Sequence, residues 1–199
     1  ALELARKVWG DESPVLFSHL LHLAGAATWL PGKTAEAVEY NERALALAES
    51  VYGPDHPTVA LALTNRRVPF EPEACRRALP DIERALAIKR RVYGERSPKL
   101  ASTLNKLGNC QGIMGEHRQS IVTIREALAV VEESSGAQDP RVAIYSVNLA
   151  RGLMELGTPE DLDEAETALQ RALEVDRGRL GDDHWELLYS LVGLLDVDL

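Results

Sequence analysis

Apolar and small side chains recur at helical spacing in two stretches of the chain between Pro98 and Gly136. The first stretch carries Leu100, Leu104, Leu107, Gly108 and Gln111, and the second carries Ser120, Ile124, Ala127, Leu128 and Val131. Side chains three and four residues apart share one face of a helix, so each stretch predicts an amphipathic helix. The glycine of Met114-Gly115-Glu116 gives a short turn between them. The pattern therefore predicts a hairpin of two antiparallel helices.

The same phrase recurs along the whole chain. Glycines mark it at Gly10, Gly53, Gly94, Gly136 and Gly181, which are 43, 41, 42 and 45 residues apart. Four residues after the glycine comes a proline in four of the repeats, at Pro14, Pro57, Pro98 and Pro140, and Trp185 stands in that place in the fifth. An Ala-Leu pair precedes each glycine, beginning at Ala1, Ala44, Ala85, Ala127 and Ala172. Glycine ends a helix well, and proline suits the first turn of the next one. A fixed period in this range predicts a stacked array in which each unit buries its apolar face against its neighbours.

The array predicts a single all-α domain over residues 1–199. We expect a partial repeat at 1–10, repeats at about 14–53, 57–94, 98–136 and 140–181, and a partial repeat at 184–199 that supplies one helix. The first residues match the middle of a repeat and the last stop within a helix, so we expect a piece of a longer polypeptide.

These positions resemble those of a known repeat family. Small and apolar residues of the tetratricopeptide repeat are matched by Leu104, Leu107, Gly108, Ser120, Ile124 and Ala127, and again by Leu149, Ala150, Leu153, Ala165, Leu169 and Ala172. The period of about 42 exceeds the common 34, and residues 52–60 (Tyr-Gly-Pro-Asp-His-Pro-Thr-Val-Ala) resemble the long variant of kinesin light chains. The resemblance covers essentially the whole chain. It implies a right-handed superhelical solenoid whose concave groove is lined by the first helix of each pair.

Two repeats depart from the pattern. In the second repeat, Arg66 and Arg67 stand where a leucine and a small residue are expected, and Pro69 and Pro72 follow. Proline in a helix interior costs about 3 kcal/mol, so the first helix should end near Arg67, before an irregular loop. A helix containing residues 75–92 should follow, with Pro80 tolerated if it lies in the first turn or so. In the fourth repeat, we expect residues 157–163 to form an exposed turn.

The composition of the chain bears mainly on its partners. The chain has 22 basic and 31 acidic side chains and a net charge of −9, which disfavours nucleic acid and anionic membrane surfaces. The sequence has no apolar run long enough to span a bilayer. Cys75 and Cys110 occupy unequal repeat positions without a disulfide framework, so we interpret them as reduced and structural and expect a cytoplasmic protein.

The candidates for chemistry favour structural interpretations. His19 and His22 lie three residues apart, but a zinc site needs at least one further protein ligand, and the first repeat offers none. Asp55-His56 and Asp182-Asp183-His184 resemble acid–base pairs, yet they recur at repeat junctions where Asp and His serve as turn and cap residues. Phosphate-cradling glycine loops and nucleophile elbows are missing from the sequence. We expect no enzyme activity, no metal and no cofactor.

The first helix of each pair carries the candidate binding residues. Mapped onto the expected groove, its outward positions hold His22, Asn65, Asn105, Lys106, Asn109, Asn148 and Arg151, with Thr64 beside them. An asparagine amide donates and accepts hydrogen bonds at once, which suits the backbone of an extended peptide. The alternative is that these asparagines bond neighbouring helices across repeats.

A second candidate surface is an acidic-ligand patch of Arg66, Arg67, Arg76 and Arg77. Arginine binds carboxylates bidentately, but these four residues could equally pair with the many acidic side chains nearby. Taken together, the sequence predicts a non-catalytic scaffold that binds a protein or peptide, as an adaptor or sensor module. The alternative is a segment that self-associates as a homodimer, or that holds another domain of the same larger signalling polypeptide.

Overall fold

The computed structural model of the protein describes Lys7, Gly10, residues 13–28 and residues 30–197. Nine α-helices lie within these residues: α1 Pro14–Thr28, α2 Thr34–Tyr52, α3 Pro57–Asn65, α4 Pro72–Tyr93, α5 Ala101–Ile113, α6 His117–Ser135, α7 Pro140–Met154, α8 Pro159–Leu180 and α9 Leu187–Val197. The described residues contain no strand, which confirms the all-α prediction. Most of the partial repeat at 1–10, with its Ala-Leu pair, lies outside the described residues.

The repeat junctions share one backbone conformation. Gly53, Gly136 and Gly181 follow α2, α6 and α8 with φ of 83°, 84° and 85° and ψ between 163° and 170°. This region is open to glycine and strained for other residues, which explains the periodic glycine. Each of these glycines donates its N–H to a carbonyl four residues back, and thereby ends its helix in the same way.

The chain divides into two compact units, which are described separately. The first comprises Ala1–Pro69 and Pro80–Val92, and the second comprises Phe70–Leu79 and Tyr93–Leu199. The core of the first unit is formed by Leu16, Phe17, Leu20, Ala44, Ala48, Val59, Ala60, Ala62, Leu63, Ala85 and Ile88. Small alanines alternate with large side chains there, so the helices of a hairpin can approach closely. Asn41, which is buried in α2, donates a 3.2 Å hydrogen bond to the carbonyl of Ala62 in α3.

In the second unit, close approach between α5 and α6 depends on a glycine. A Cβ on Gly108 would lie 2.5 Å from Cγ1 of Ile124 and 3.3 Å from the carbonyl oxygen of Ser120. The Ser120 hydroxyl donates a 2.7 Å hydrogen bond to the Gly108 carbonyl and fixes the two helices at this point. The packing role predicted for Gly108 is confirmed.

The irregular second repeat folds as predicted at its first helix. α3 ends at Asn65, residues 66–71 are not helical, and α4 begins at Pro72. Proline restricts the residue before it to extended conformations, so Pro69 stops the helix from continuing through Val68. Pro80 does not lie in the first turn as expected, because α4 starts early and the proline falls inside the helix. Because proline has no backbone N–H, α4 lacks one of its helical hydrogen bonds at Pro80.

The expected exposed turn at residues 157–163 is wrong beyond Thr158. The Thr158 hydroxyl accepts the N–H of Asp161 at 3.2 Å and donates to the Asp161 carboxylate at 2.7 Å. Pro159 occupies the first turn of α8, where its missing N–H costs nothing. These are helix-start signals, and they place α8 five residues earlier than the repeat pattern alone indicates.

Candidate functional site

Four side chains on α5 and α7 form one hydrogen-bonded network, which we name the amide–guanidinium network. Nδ2 of Asn148 donates to Oδ1 of Asn105 at 2.9 Å. Nη2 of Arg151 donates to Oδ1 of Asn109 at 2.9 Å and to Oδ1 of Asn148 at 3.1 Å. α5 and α7 are the first helices of successive repeats, so the network connects equivalent surfaces of neighbouring hairpins.

The network shows that asparagines of neighbouring repeats are hydrogen-bonded across the helices, which is one of the two alternatives that the sequence allowed. Asn105 lies 11 residues after Gly94, whereas Asn148 lies 12 residues after Gly136, so the bonded pair is offset by one position. Each amide has two donors and two acceptor lone pairs, and the bonds above use only part of this capacity. The amides are half-buried and still face solvent. Recognition of a ligand by the remaining groups stays a prediction.

Arg151 keeps its charge uncompensated by any close carboxylate. In the part of the chain that the structure describes, none lies within 4.0 Å of its guanidinium, and its hydrogen-bond acceptors are the two neutral amides. Other arginines of the second unit behave differently: Arg125 contacts both carboxylate oxygens of Glu164, and Arg179 bridges Asp176 and Glu186. Arg151 is therefore an oriented cation on the surface of the first helices.

A pocket of about 480 Å³ opens on one side of Arg151. Its wall includes Phe70, Asn109, Ile113, His117, Arg151 and Glu155. Phe70 is 78% exposed and comes from the irregular segment after α3. Nδ1 of His117, in the first turn of α6, is buried without a hydrogen-bond partner among the described residues. The wall of this pocket thus combines an exposed aromatic ring with a histidine whose ring nitrogen has no hydrogen-bond partner among the described residues.

A second pocket, of about 400 Å³, opens on the other side of α7. Its wall includes Ile144, Val147, Arg151, Arg179, Trp185 and Tyr189. Ile144, Trp185 and Tyr189 are 56%, 60% and 66% exposed, and the two aromatic rings meet edge to face at 6.1 Å. Asn148 and Arg151 line both pockets, so the two pockets adjoin at the amide–guanidinium network.

The structure does not bring every predicted groove residue into this site. His22 on α1 and Asn65 at the end of α3 are exposed residues of the first unit. Lys106 is half-buried on α5, next to Asn105 in the sequence but outside the amide–guanidinium network. A ligand role for these three residues stays a prediction. Phe70, Trp185 and Tyr189 were not predicted as site residues, although the replacement of the periodic proline by Trp185 was visible in the sequence.

The four arginines of the predicted acidic-ligand patch all have partners within the chain. Arg66 contacts Asp81 at 2.7 Å and Glu42 at 3.5 Å, and Arg67 donates to the carbonyl of Thr28 at 3.3 Å. Arg76 and Arg77 contact Glu73 at 3.2 and 3.7 Å. Acidic neighbours thus compensate three of the four, which favours the structural interpretation of the patch.

The histidines of the candidate acid–base pairs make structural contacts at a helix start and in a turn. Nδ1 of His56 accepts the N–H of Thr58 at 3.2 Å at the start of α3, and its ring stacks on Tyr52 at 4.6 Å. Nδ1 of His184 accepts the N–H of Glu186 at 3.3 Å in the same sequence context. These contacts confirm the predicted structural roles, a helix cap for His56 and a turn contact for His184. In the first repeat, Nδ1 of His19 lies 2.8 Å from the carbonyl oxygen of Val15, and the described residues contain no cluster of metal-ligating side chains.

Both cysteines are buried and free, on α4 and α5 of the second unit. Burial, and hydrogen bonding with Cys75, raise the pKa of the Cys110 thiol to about 12. A thiol with so high a pKa is a poor nucleophile and a poor metal ligand at neutral pH. No described helix is long and apolar enough to cross a membrane.

The fold and the amide–guanidinium network define an all-α array of helical hairpins with a polar surface on its first helices. Models of the tetratricopeptide repeat match residues 20–58 and 75–133. These stretches of the chain are therefore tetratricopeptide repeats, which act in general as protein-interaction scaffolds. No curated protein matches the sequence.

Two solved structures have similar folds. The nearly identical TPR-like repeats of a putative kinesin light chain from Podosopora anserina are 18% identical to this chain, with coverage of 93% of this chain and 86% of that one and a TM-score of 0.71. BtubC (BKLC) from P. vanneervenii is 20% identical, with coverage of 98% and 78% and a TM-score of 0.77. These likenesses confirm the predicted kinesin-light-chain-like repeat fold.

Proposed function

We propose that this chain is a non-catalytic scaffold that binds an extended peptide segment of a partner protein across α5, α7 and α9. The observation that carries the proposal is Arg151, a cation held in place by two amides without a neutralising carboxylate among the described residues. Two pockets with exposed apolar side chains flank it. Exposed apolar surface rimmed by polar groups is typical of interaction sites.

The scaffold needs little reorganisation to bind. Hydrogen bonds across repeats orient the side chains of the amide–guanidinium network before a ligand arrives, so most of the ordering entropy falls on the ligand. Asparagine amides with unused donors and acceptors suit the backbone of an extended segment, which has its own unpaired N–H and C=O groups. In a larger regulatory polypeptide, such a surface would act as an adaptor or sensor module.

A twelve-residue random peptide library, presented to the immobilised chain, tests this function. We expect the wild type to retain peptides and the double variant Asn105→Ala, Asn148→Ala to retain them at least threefold less. Each lost hydrogen bond costs about 0.5–1.5 kcal/mol of stability, so helical content should stay the same. Gln119→Ala, an exposed polar change on α6, is the matched control. Failure of the wild type to retain any peptide contradicts the proposal, and unfolding of the double variant would assign the amides to the scaffold alone.

Self-association is a second candidate, favoured by one face of α9. Leu188, Val192 and Leu195 are 58%, 52% and 65% exposed and lie at helical spacing. Light scattering across a range of protein concentrations separates the candidates. A dimer that disappears in Leu188→Glu favours self-association, and a monomer at all concentrations excludes it.

A further inference from the structure

We infer that the ligand segment carries an acidic side chain between two apolar ones, in the order apolar–x–acidic–x–apolar along an extended backbone. This inference rests on the proposed function and names the chemistry of its ligand. Arg151 binds the acidic side chain, and the two pockets that it separates each receive one apolar side chain.

The acidic position follows from the hydrogen bonds of Arg151. Nη2 is engaged by Asn109 and Asn148, while Nε and Nη1 have no acceptor among the described residues. The N–H groups of Nη1 and Nε therefore remain to donate charge-assisted hydrogen bonds to a carboxylate. Asp176 and Glu186 in the second pocket are bridged by Arg179, so they do not compete for Arg151. Glu155 is the remaining acidic side chain of the first pocket and lies beyond ion-pair distance of Arg151.

The first apolar position is provided by the irregular second repeat. A regular repeat would place a hairpin turn near Phe70, but here an extended segment leaves this ring 78% exposed on the wall of the first pocket. Ile113 at the end of α5 also lines this pocket. The departure from the repeat pattern thus adds an aromatic contact that the repeat itself does not supply.

The second apolar position is provided by the residue that replaces the periodic proline. Trp185 stands where the other junctions have proline, and with Tyr189 and Ile144 it gives the second pocket three exposed apolar side chains. Edge-to-face aromatic pairs hold a defined geometry, so this pocket presents a formed aromatic wall.

The spacing follows from the geometry of packed helices. Neighbouring helices lie about 8–10 Å apart, and the two pockets lie on opposite sides of α7. An extended backbone advances about 3.3 Å per residue, and alternate side chains share one face. Positions i, i+2 and i+4 therefore point the same way and span about 13 Å, enough to place one side chain in each pocket and one over Arg151.

Synthetic peptides test the ligand chemistry directly. The probe is a fluorescent peptide with the centre Leu-Ser-Glu-Ser-Phe flanked by Gly-Ser linkers, and binding is followed by fluorescence anisotropy. Replacing Glu by Gln should weaken binding on the order of tenfold, since a charge-assisted bond is lost. Replacing Leu or Phe by Ser, or moving Glu by one position, should weaken it about fivefold or more. Equal binding of all these peptides would overturn the inference.

Variants of the protein locate the three subsites. Arg151→Gln should abolish the preference for the Glu peptide over the Gln peptide, whereas Arg177→Gln, at an exposed ion pair with Asp182, should leave it intact. Phe70→Ala and Trp185→Ala should each weaken binding about fivefold, and Val122→Ala, a change at an exposed apolar residue outside both pockets, should not. Retained Glu preference in Arg151→Gln overturns the inference.

The outcomes also separate this inference from the proposed function. If the wild type retains library peptides but those peptides lack the apolar–x–acidic–x–apolar order, the scaffold function stands and the inferred ligand chemistry is wrong. If no peptide of any sequence is retained, the proposed function fails and the inference fails with it.

Discussion

The same substitution should have opposite effects at two helical glycines. A Cβ on Gly25 of α1 meets nothing within 4 Å, whereas a Cβ on Gly108 of α5 would lie 2.5 Å from Cγ1 and 3.2 Å from Cδ1 of Ile124. The Ser120 carbonyl oxygen, 3.3 Å away, limits relaxation by a simple shift of the helix. Ile124 is 1% exposed, so its side chain has no solvent to move into.

The magnitudes decide the sign at each site. Alanine is favoured over glycine in a helix interior by about 1 kcal/mol, so Gly25→Ala should raise the free energy of unfolding by up to that amount. A 2.5 Å contact with a buried side chain belongs at the upper end of the about 1–3 kcal/mol that overpacking costs. After the propensity gain, Gly108→Ala should therefore lower the free energy of unfolding by up to about 2 kcal/mol. At about 2–4 °C per kcal/mol for a chain of this size, the two variants should melt on opposite sides of the wild type.

Urea and thermal unfolding, followed by far-UV circular dichroism, measure both effects. Gly112→Ala should fall between the two, because its Cβ would meet Oγ of Ser120 at 3.3 Å and Cβ of Ser120 at 3.8 Å, which is a milder overlap than the one at Gly108. A double-mutant cycle then tests the cause: in an Ile124→Ala background the clashing atoms are gone, so Gly108→Ala should cost less there. A clash with Ile124 is refuted as the cause if Gly108→Ala stabilises the chain as much as Gly25→Ala, or if the cost of Gly108→Ala does not depend on Ile124.

Three further predictions follow from the caps and the thiols. Asp139→Ala should lower the free energy of unfolding by about 1 kcal/mol, since the carboxylate caps α7 by accepting the N–H of Arg141 at 2.9 Å. Urea unfolding measures this loss, with Asp163→Ala at an exposed residue as the control. The Arg141 side chain lowers the pKa of Asp139 from 3.8 to about 2, so the advantage of wild type over Asp139→Ala should be full above about pH 4 and vanish as the pH falls towards 2, in unfolding curves taken across that range. A thiol reagent at mildly alkaline pH should label Cys75 and Cys110 only after unfolding, because both are buried, and rapid labelling of the native chain would contradict their placement.

The helical hairpins could be predicted from the sequence because their signals are local. The glycine, the following proline and the 3.6-residue apolar spacing lie within one unit, and each is tied to a backbone conformation seen at Gly53, Gly136 and Gly181. The start of α8 was missed since Thr158-Pro159 reads equally as a turn or as a capped helix start. Hydrogen bonds to Asp161 decide between them, and the residue types alone do not.

The candidate site was predictable in its residues but not in its geometry. Asn105, Asn148 and Arg151 could be named from their helical register, yet the one-position offset between the two asparagines and the bridge to Asn109 depend on how successive helices pack. The pocket walls were harder to predict from the sequence, because Phe70 lies outside any helix and far from α7 along the chain. A repeat pattern describes what units share, and both aromatic walls lie where this chain departs from it.

The shared backbone conformation at the junction glycines makes each repeat an interchangeable cassette. Gly94 and Gly136 have nearly the same φ, 81° and 84°. A tandem duplication of the gene segment encoding residues 95–136 would therefore join each copy to the next through a glycine of the same backbone conformation. Such an event would lengthen the recognition surface by one hairpin and copy Asn105 and Asn109 with it. Natural selection could thus adjust how long a segment this scaffold reads without reinventing its packing.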